Sequence, residues 1–309
     1  MTTLLYTHAA CLNHDTGDYH PERPDRLRAV LAALDGPEFA ALQRREAPRV
    51  AIDDILRVHP QAYFEALMEA IPTSGHVGID ADTIVSPGSG EAALRAAGAV
   101  TAAVDAIMAG EATNAFCAVR PPGHHAEPNR PMGFCLFNNV AIGALRAHEA
   151  HGCERVAVID FDVHHGNGTQ ARFESDPRLF YASTHQWPLY PGTGARDERG
   201  AAGNIVNVPL PANAGPADFR FAVAELVLPA IEEFRPDFLF ISAGFDAHTR
   251  DPLAGLNLFE EDYAWITAKL TEIASRHCDG RIVSVLEGGY DLEALAESAA
   301  AHVDVLMRA

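Results

Sequence analysis

The chain is expected to fold as a three-layer α/β/α domain around a mostly parallel central sheet, and two observations carry that expectation. Short apolar runs rich in β-branched and aromatic residues alternate with longer segments of helical spacing, and the residues able to do chemistry cluster at the ends of the apolar runs. The runs cover residues 4–7, 115–119, 156–162, 179–185, 205–210, 237–244 and 282–288, and each reads as a buried strand. Helical spacing covers residues 90–110, 138–151, 216–234, 260–276 and 291–308. Strand and helix in alternation imply right-handed crossovers with helices on both faces of the sheet. Open sheets of this kind bind ligands beyond the carboxyl ends of their strands. Residues 160–165, 183–185, 246–248 and 287–290 all fall there, so they are expected to meet on one rim.

A chain of 309 residues could hold two average domains, yet large α/β enzymes of this length commonly form one, and no linker, repeat or low-complexity tract divides residues 1–309. Hydrophobic residues at 48% and charged residues at 21% suit a globular enzyme with a large core. The formal charge of -19, without any Lys/Arg cluster, argues against direct contact with nucleic acid. It would favour cationic substrates or simply serve solubility. Five scattered cysteines (Cys11, Cys117, Cys135, Cys153 and Cys278) contain no Cys-x-x-Cys pair, which points away from a disulfide framework or thiolate zinc site and towards the reducing cytoplasm. The N-terminus lacks a basic, then apolar, export signal, and Arg95 and Asp105 interrupt the longest Ala-rich stretch, so no membrane span is expected.

In Asp160-Phe161-Asp162-Val163-His164-His165-Gly166-Asn167-Gly168, acidic and imidazole groups recur every second residue, which on an extended strand puts Asp160, Asp162 and His164 on one face. A buried ion-pair network would explain such a run, but no Lys or Arg lies within it, and packed carboxylates need a counter-ion. Metal binding is the better reading, and a catalytic zinc takes three protein ligands and keeps one open position. Asp162 and His164 supply two; Asp246 and His248 both follow the strand at 237–244, and Asp246, being nearer, is the choice for the third. Two carboxylates leave the zinc nearly neutral, so water bound there needs a separate base. His124 and His125, on the Pro-stiffened turn Arg120-Pro121-Pro122-Gly123, supply a base and its electrostatic partner. Tyr290, after Glu287-Gly288-Gly289, either packs at a helix start or donates to an oxyanion. Aromatic residues on the Gly133–Asn139 and Trp187–Gly192 loops could wall an apolar passage to the metal, although loop packing is preferred for Phe137 and Trp187 and simple burial for Cys135.

These motifs together resemble the class II histone deacetylases and their bacterial deacetylase-like amidohydrolase relatives. The match runs in order through Arg120–Ala126, Gly133–Asn139, Asp160–Thr169, Tyr190–Gly194, Ser242–His248 and Leu286–Tyr290, and covers essentially the whole chain. The resemblance implies the arginase/deacetylase fold and a zinc held by Asp162, His164 and Asp246, with His248 outside the ligand set. It also implies His125 as general base and later acid, His124 as electrostatic partner, Asp160 orienting His124, and Asn167 facing His125. Asn167 rather than Asp supports class II. Zinc and Tyr290 would polarise an amide carbonyl while His125 takes the proton of the attacking water, so that acetate and a free amine leave. A structural potassium ion is implied near Asp160, Asp162, His164, Ser183 and Thr184. Phe134 and Tyr190, with Gly133 and Gly288, would shape the substrate tunnel, and Leu253 its rim.

The expected substrate is an acetyl-lysine-like amine, since Leu253 puts no acid at the rim; acetylated polyamines and other small amides are the alternative. A non-enzymatic zinc module is disfavoured by Tyr290 and the intact His124–His125 pair. A binuclear manganese ureohydrolase is disfavoured by Gly166 and His248, which stand where further carboxylates are needed.

Overall fold

A computed structural model describes residues 2–309. Eight parallel strands form the central sheet: β1 (Thr3–Thr7), β2 (Gln43–Glu46), β5 (Asn114–Cys117), β6 (Val156–Asp160), β7 (Leu179–Gln186), β8 (Ile205–Leu210), β9 (Phe238–Ala243) and β10 (Ile282–Leu286). β3 (Val77–Gly78) and β4 (Ile84–Val85) make a small separate antiparallel hairpin. The helices are α1 (Pro24–Ala33), α2 (Ile52–Leu56), α3 (Gln61–Glu69), α4 (Ser89–Met108), α5 (Asn139–Leu145), α6 (Asn167–Phe173), α7 (Pro216–Ala222), α8 (Leu228–Phe234), α9 (Glu260–His277) and α10 (Leu292–Arg308). α4 and α5 pack across one set of strands, while α1, α10, α9 and α8 form a second layer, which gives the expected three-layer arginase/deacetylase architecture.

The strands at the centre are buried along their whole length, because a parallel sheet with helices on both faces exposes neither side. The outermost strand β2 has the sequence Gln43-Arg44-Arg45-Glu46 and is largely exposed; charge along an edge strand discourages pairing with another chain. α10 is tied down through His302, whose ring nitrogens lie 2.6 Å from Thr267 Oγ1 on α9 and 2.7 Å from Ser284 Oγ on β10.

Two expected helices are continuous in space but contain a wider π turn, at Arg146–Ala150 after α5 and at Val223–Val227 between α7 and α8. The second precedes Pro229, which has no N–H to donate and whose ring clashes with the carbonyl four residues back; the wide turn absorbs that mismatch.

Strand order across the sheet is β2-β1-β5-β10-β9-β6-β7-β8. The chain runs outward from β6 through β7 to β8, then returns to the other side of β6 with β9 and β10. That reversal opens a crevice at the carboxyl ends of β5, β10, β9 and β6, four neighbouring strands.

Candidate active site

β6 stops at Asp160, two residues earlier than its apolar pattern suggests, and side chains explain why. Asp160 Oδ1 accepts the N–H of Asp162 at 3.1 Å, and Asp162 Oδ1 accepts the N–H of His164 at 2.9 Å. Each carboxylate captures the backbone donor two residues on, which replaces ladder bonds with turns. Asp162 and His164 are therefore presented from a turn rather than from an extended strand, yet they still converge. The donor atoms of Asp162, His164 and Asp246 lie within 4.8 Å of one another, all buried. His164 Nδ1 is 3.1 Å from both Asp162 Oδ1 and Asp246 Oδ2. The second oxygen of each carboxylate is held by backbone: Gly288 N–H donates to Asp162 Oδ2 at 2.8 Å and Val163 N–H to Asp246 Oδ1 at 2.8 Å.

No Lys or Arg pairs with Asp162 or Asp246 among the described residues. Burial disfavours the cationic form of His164, yet the two carboxylates raise it to about 10. Two carboxylate oxygens and one imidazole nitrogen around a dry point meet the donor requirements of zinc. His248 is engaged elsewhere, with Nε2 3.1 Å from Glu260 Oε1 and Nδ1 accepting from Arg250 N–H at 3.1 Å.

The turn after β5 brings His124 and His125 beside this cluster, their rings 4.0 Å apart. His124 Nδ1 is 2.9 Å from Asp160 Oδ2, which also accepts from the Tyr181 hydroxyl at 2.9 Å. His125 Nδ1 is 2.9 Å from Asn167 Oδ1, at the start of α6. The two imidazoles are pushed apart electrostatically. Burial opposes charge on His124, but Asp160 and Asp162 outweigh it and hold this ring well above the ordinary histidine range. Burial, reinforced by positive charge on His124 and His164, holds His125 well below it. The turn itself hangs on Glu287, whose Oε2 accepts the N–H groups of Gly123 at 2.7 Å and His124 at 3.1 Å. Burial raises the Glu287 carboxyl to about 7.

A cavity of about 230 Å³ leads to these groups. Gly133, Phe134, Leu189, Tyr190, Leu253, Asp82 and Tyr290 line it, and His125 and His164 reach it. Phe134 has φ +68, a left-handed conformation that costs a bulky residue about 1–2 kcal/mol. The N–H of Gly133 donates to Asp82 Oδ1 at 3.2 Å and that of Phe134 to Thr83 Oγ1 at 3.1 Å, and these bonds hold the segment. Gly133 leaves no room for a side chain, since a Cβ there would lie 2.5 Å from the His125 ring. Tyr190 meets His125 edge-on at 5.1 Å, and Phe134 meets Tyr290 edge-on at 5.9 Å.

The Tyr290 ring lies under the Arg26 guanidinium at 4.8 Å, and its hydroxyl makes no hydrogen bond to the described residues. Arg26, wholly buried, donates to the carbonyls of Gly289 and Glu287 on either side of the two glycines and pairs with Glu22 at 3.1 Å. Burial holds the phenol well above its usual range, partly countered by Arg26, so the hydroxyl keeps its proton as a donor.

Four of the residues expected in the tunnel (Gly133, Phe134, Tyr190 and Leu253) line the cavity, whereas Gly288 sits against the carboxylates of Asp162 and Asp246 instead. Asp160 is the Cα partner of Ser183 across the β6–β7 ladder; Ser183 Oγ lies 2.9 Å from His185 Nδ1, and Thr184 Oγ1 is buried without a partner. Phe137 packs against His59, Tyr63 and Phe64, and Cys135 is a buried thiol pushed up by desolvation. Sequence reasoning missed Arg26, Glu22, Leu189 and Asp82, and gave Glu287 no role. None of these stands out locally; only Glu287 lies inside a motif.

The fold and the site define a protein of the deacetylase and amidohydrolase class. The sequence matches the Histone deacetylase domain over residues 20–306, and the chain belongs to that family. It is 44% identical over 302 residues to "Uncharacterized protein slr0245" of Synechocystis, spanning 96% of this chain and 97% of that protein. It is 43% identical over 277 residues to the "Histone deacetylase-like amidohydrolase" of Pseudomonas aeruginosa, with 88% and 72% covered. The crystal structure of the HDA15 HD domain superposes with a TM-score of 0.93 at 37% identity, covering 99% of this chain and 88% of that one.

Proposed function

We propose that residues 1–309 form a single zinc-dependent catalytic domain that removes acetyl groups from acetyl-lysine-like amines. The observation that carries this reading is the single cavity that His125, His164 and Tyr290 all line. Asp162, His164 and Asp246 would hold the zinc, which when bound supplies Lewis acidity towards an amide carbonyl and acidifies water.

The remaining chemistry belongs to side chains. His125, neutral because it is held low, accepts the proton of the attacking water and later returns it to the departing amine; the Asn167 oxygen fixes its Nδ1 as the donor side. His124, drawn towards the cation by Asp160, stabilises the negative charge that develops between them. Tyr290 donates its free hydroxyl to the oxyanion. Phe134 and Tyr190 on the cavity wall would exclude water from the stem of the substrate, and Leu253, which also lines the cavity, would form its rim. Potassium would lie beside Asp160, Asp162, His164, Ser183 and Thr184, a reading supported by the Asp160–Ser183 register and the orphaned Thr184 hydroxyl.

No helix among the described residues is long and apolar enough to cross a membrane. Five free, buried cysteines support a reducing, cytoplasmic setting. With a charge of -19, the partner is an acetylated amine rather than nucleic acid. The Asp82 carboxylate on the cavity wall favours a second reading, an acetylated polyamine. Side-by-side kinetics decide between them: kcat/KM is expected to be higher for an acetyl-lysine peptide than for acetylspermidine. The reverse ranking would overturn the substrate assignment, and turnover of neither would overturn the reaction.

A further inference from the structure

Asp251 follows β9 by eight residues and is 7% exposed, yet it has no ion-pair partner among the described residues. A buried carboxylate without a cation is costly unless hydrogen bonds hold it. Here backbone donors do so: Oδ1 accepts the N–H of Leu253 at 3.0 Å, and Oδ2 accepts the N–H of Tyr290 at 2.7 Å. Its own N–H donates to the carbonyl of His248 at 2.9 Å, which anchors it to the segment carrying Asp246. One side chain thus joins the segment after β9, with Leu253 on the cavity wall, to the segment after β10, with Tyr290.

The Tyr290 segment needs such a tie. Gly289 has φ +120, a region that only glycine enters readily, so local preference does not aim the tyrosine that follows. Arg26 donates to the carbonyls of Glu287 and Gly289, and Asp251 accepts the Tyr290 N–H. Between them the peptide carrying Tyr290 is held from both sides.

We propose that Asp251 is a positioning residue that fixes the Tyr290 hydroxyl and the Leu253 wall relative to one another across the cavity. The inference rests on the reading of Tyr290 as an oxyanion donor. Asp251→Asn keeps the shape but turns one acceptor oxygen into a donor facing an N–H group. Loss of one such hydrogen bond is expected to lower kcat by about tenfold, with KM changed by less than about threefold.

The test is a double-mutant cycle in the metal-loaded enzyme with an acetyl-lysine peptide, joined to hydrogen–deuterium exchange on the same proteins. Asp251→Asn is expected to cost about tenfold in the wild-type background and less than about twofold in Tyr290→Phe, because the hydroxyl it aims is then absent. Exchange at the Leu253 and Tyr290 amides is expected to quicken by about tenfold or more while the β10 amides stay protected. An equal loss in both backgrounds, or unchanged exchange at those two amides, overturns the proposal. Unchanged turnover in Tyr290→Phe alone is a separate failure, that of the oxyanion role, and it removes the catalytic consequence assigned to Asp251. The exchange data are read without reference to activity.

Discussion

Replacing Tyr290 with Phe separates catalysis from stability more cleanly than any other change in this site. The hydroxyl makes no hydrogen bond to the described residues, so its removal orphans no partner and leaves the ring under Arg26 and against Phe134. Stability is expected to change by no more than about 0.5 kcal/mol, the range for substitutions that break no named interaction. Removing one oxyanion donor costs about 10²–10³ in kcat, or roughly 2.7–4 kcal/mol. Because the bond is made in the transition state, KM should move little. Steady-state kinetics on an acetyl-lysine fluorogenic peptide, with a thermal melt of the same preparation, read both quantities. Wild-type turnover in Tyr290→Phe would refute the oxyanion role, and a large fall in Tm would show that the hydroxyl serves the fold.

Three further outcomes follow from the geometry. A Cβ at Gly288 would lie 2.0 Å from Asp246 Oδ2 and 2.6 Å from Asp162 Oδ2, so Gly288→Ala should lose most of its metal while staying folded; wild-type metal content in that variant would contradict the placement. Glu22 is buried between Arg26 and Arg120, and Glu22→Ala, which strands both cations, should cost about 3–5 kcal/mol in denaturant unfolding; a loss under about 1 kcal/mol would contradict it. Burial lowers His302 from 6.5 to about 3, so the fold holds it neutral and loses that advantage as pH falls below 6.5. The stability margin of wild type over His302→Gln should shrink by about 2 kcal/mol between pH 7 and pH 5, and a constant margin would contradict this.

The central strands were legible because a parallel sheet buried on both faces needs unbroken apolar runs, as in Val156–Asp160 and Phe238–Ala243. β2 was not, because its residues Gln43–Glu46 are chosen for an exposed edge and carry no apolar signal. α1 was missed for a related reason: its buried face includes Arg26, a charged residue that pairs with Glu22 and donates to two carbonyls more than 260 residues further on. In the site, residues within one motif were readable by spacing, whereas the ties between motifs were not. Nothing near Glu287 reveals that its carboxylate suspends the His124 turn, and nothing near Asp82 reveals that it faces the same cavity as Leu253. The structure departs from the extended-strand picture of Asp160, Asp162 and His164, because carboxylate-to-backbone bonds bend the chain after Asp160.

Asp162, His164 and Asp246 are proposed to hold one zinc on which deacetylation depends. Metal analysis of the purified chain, paired with activity before and after chelation, tests it most directly. One zinc per chain is expected, absent from Asp246→Ala, with acetyl-lysine turnover lost on chelation and restored by zinc. Full turnover in the metal-free protein, or wild-type zinc content in Asp246→Ala, would contradict the account.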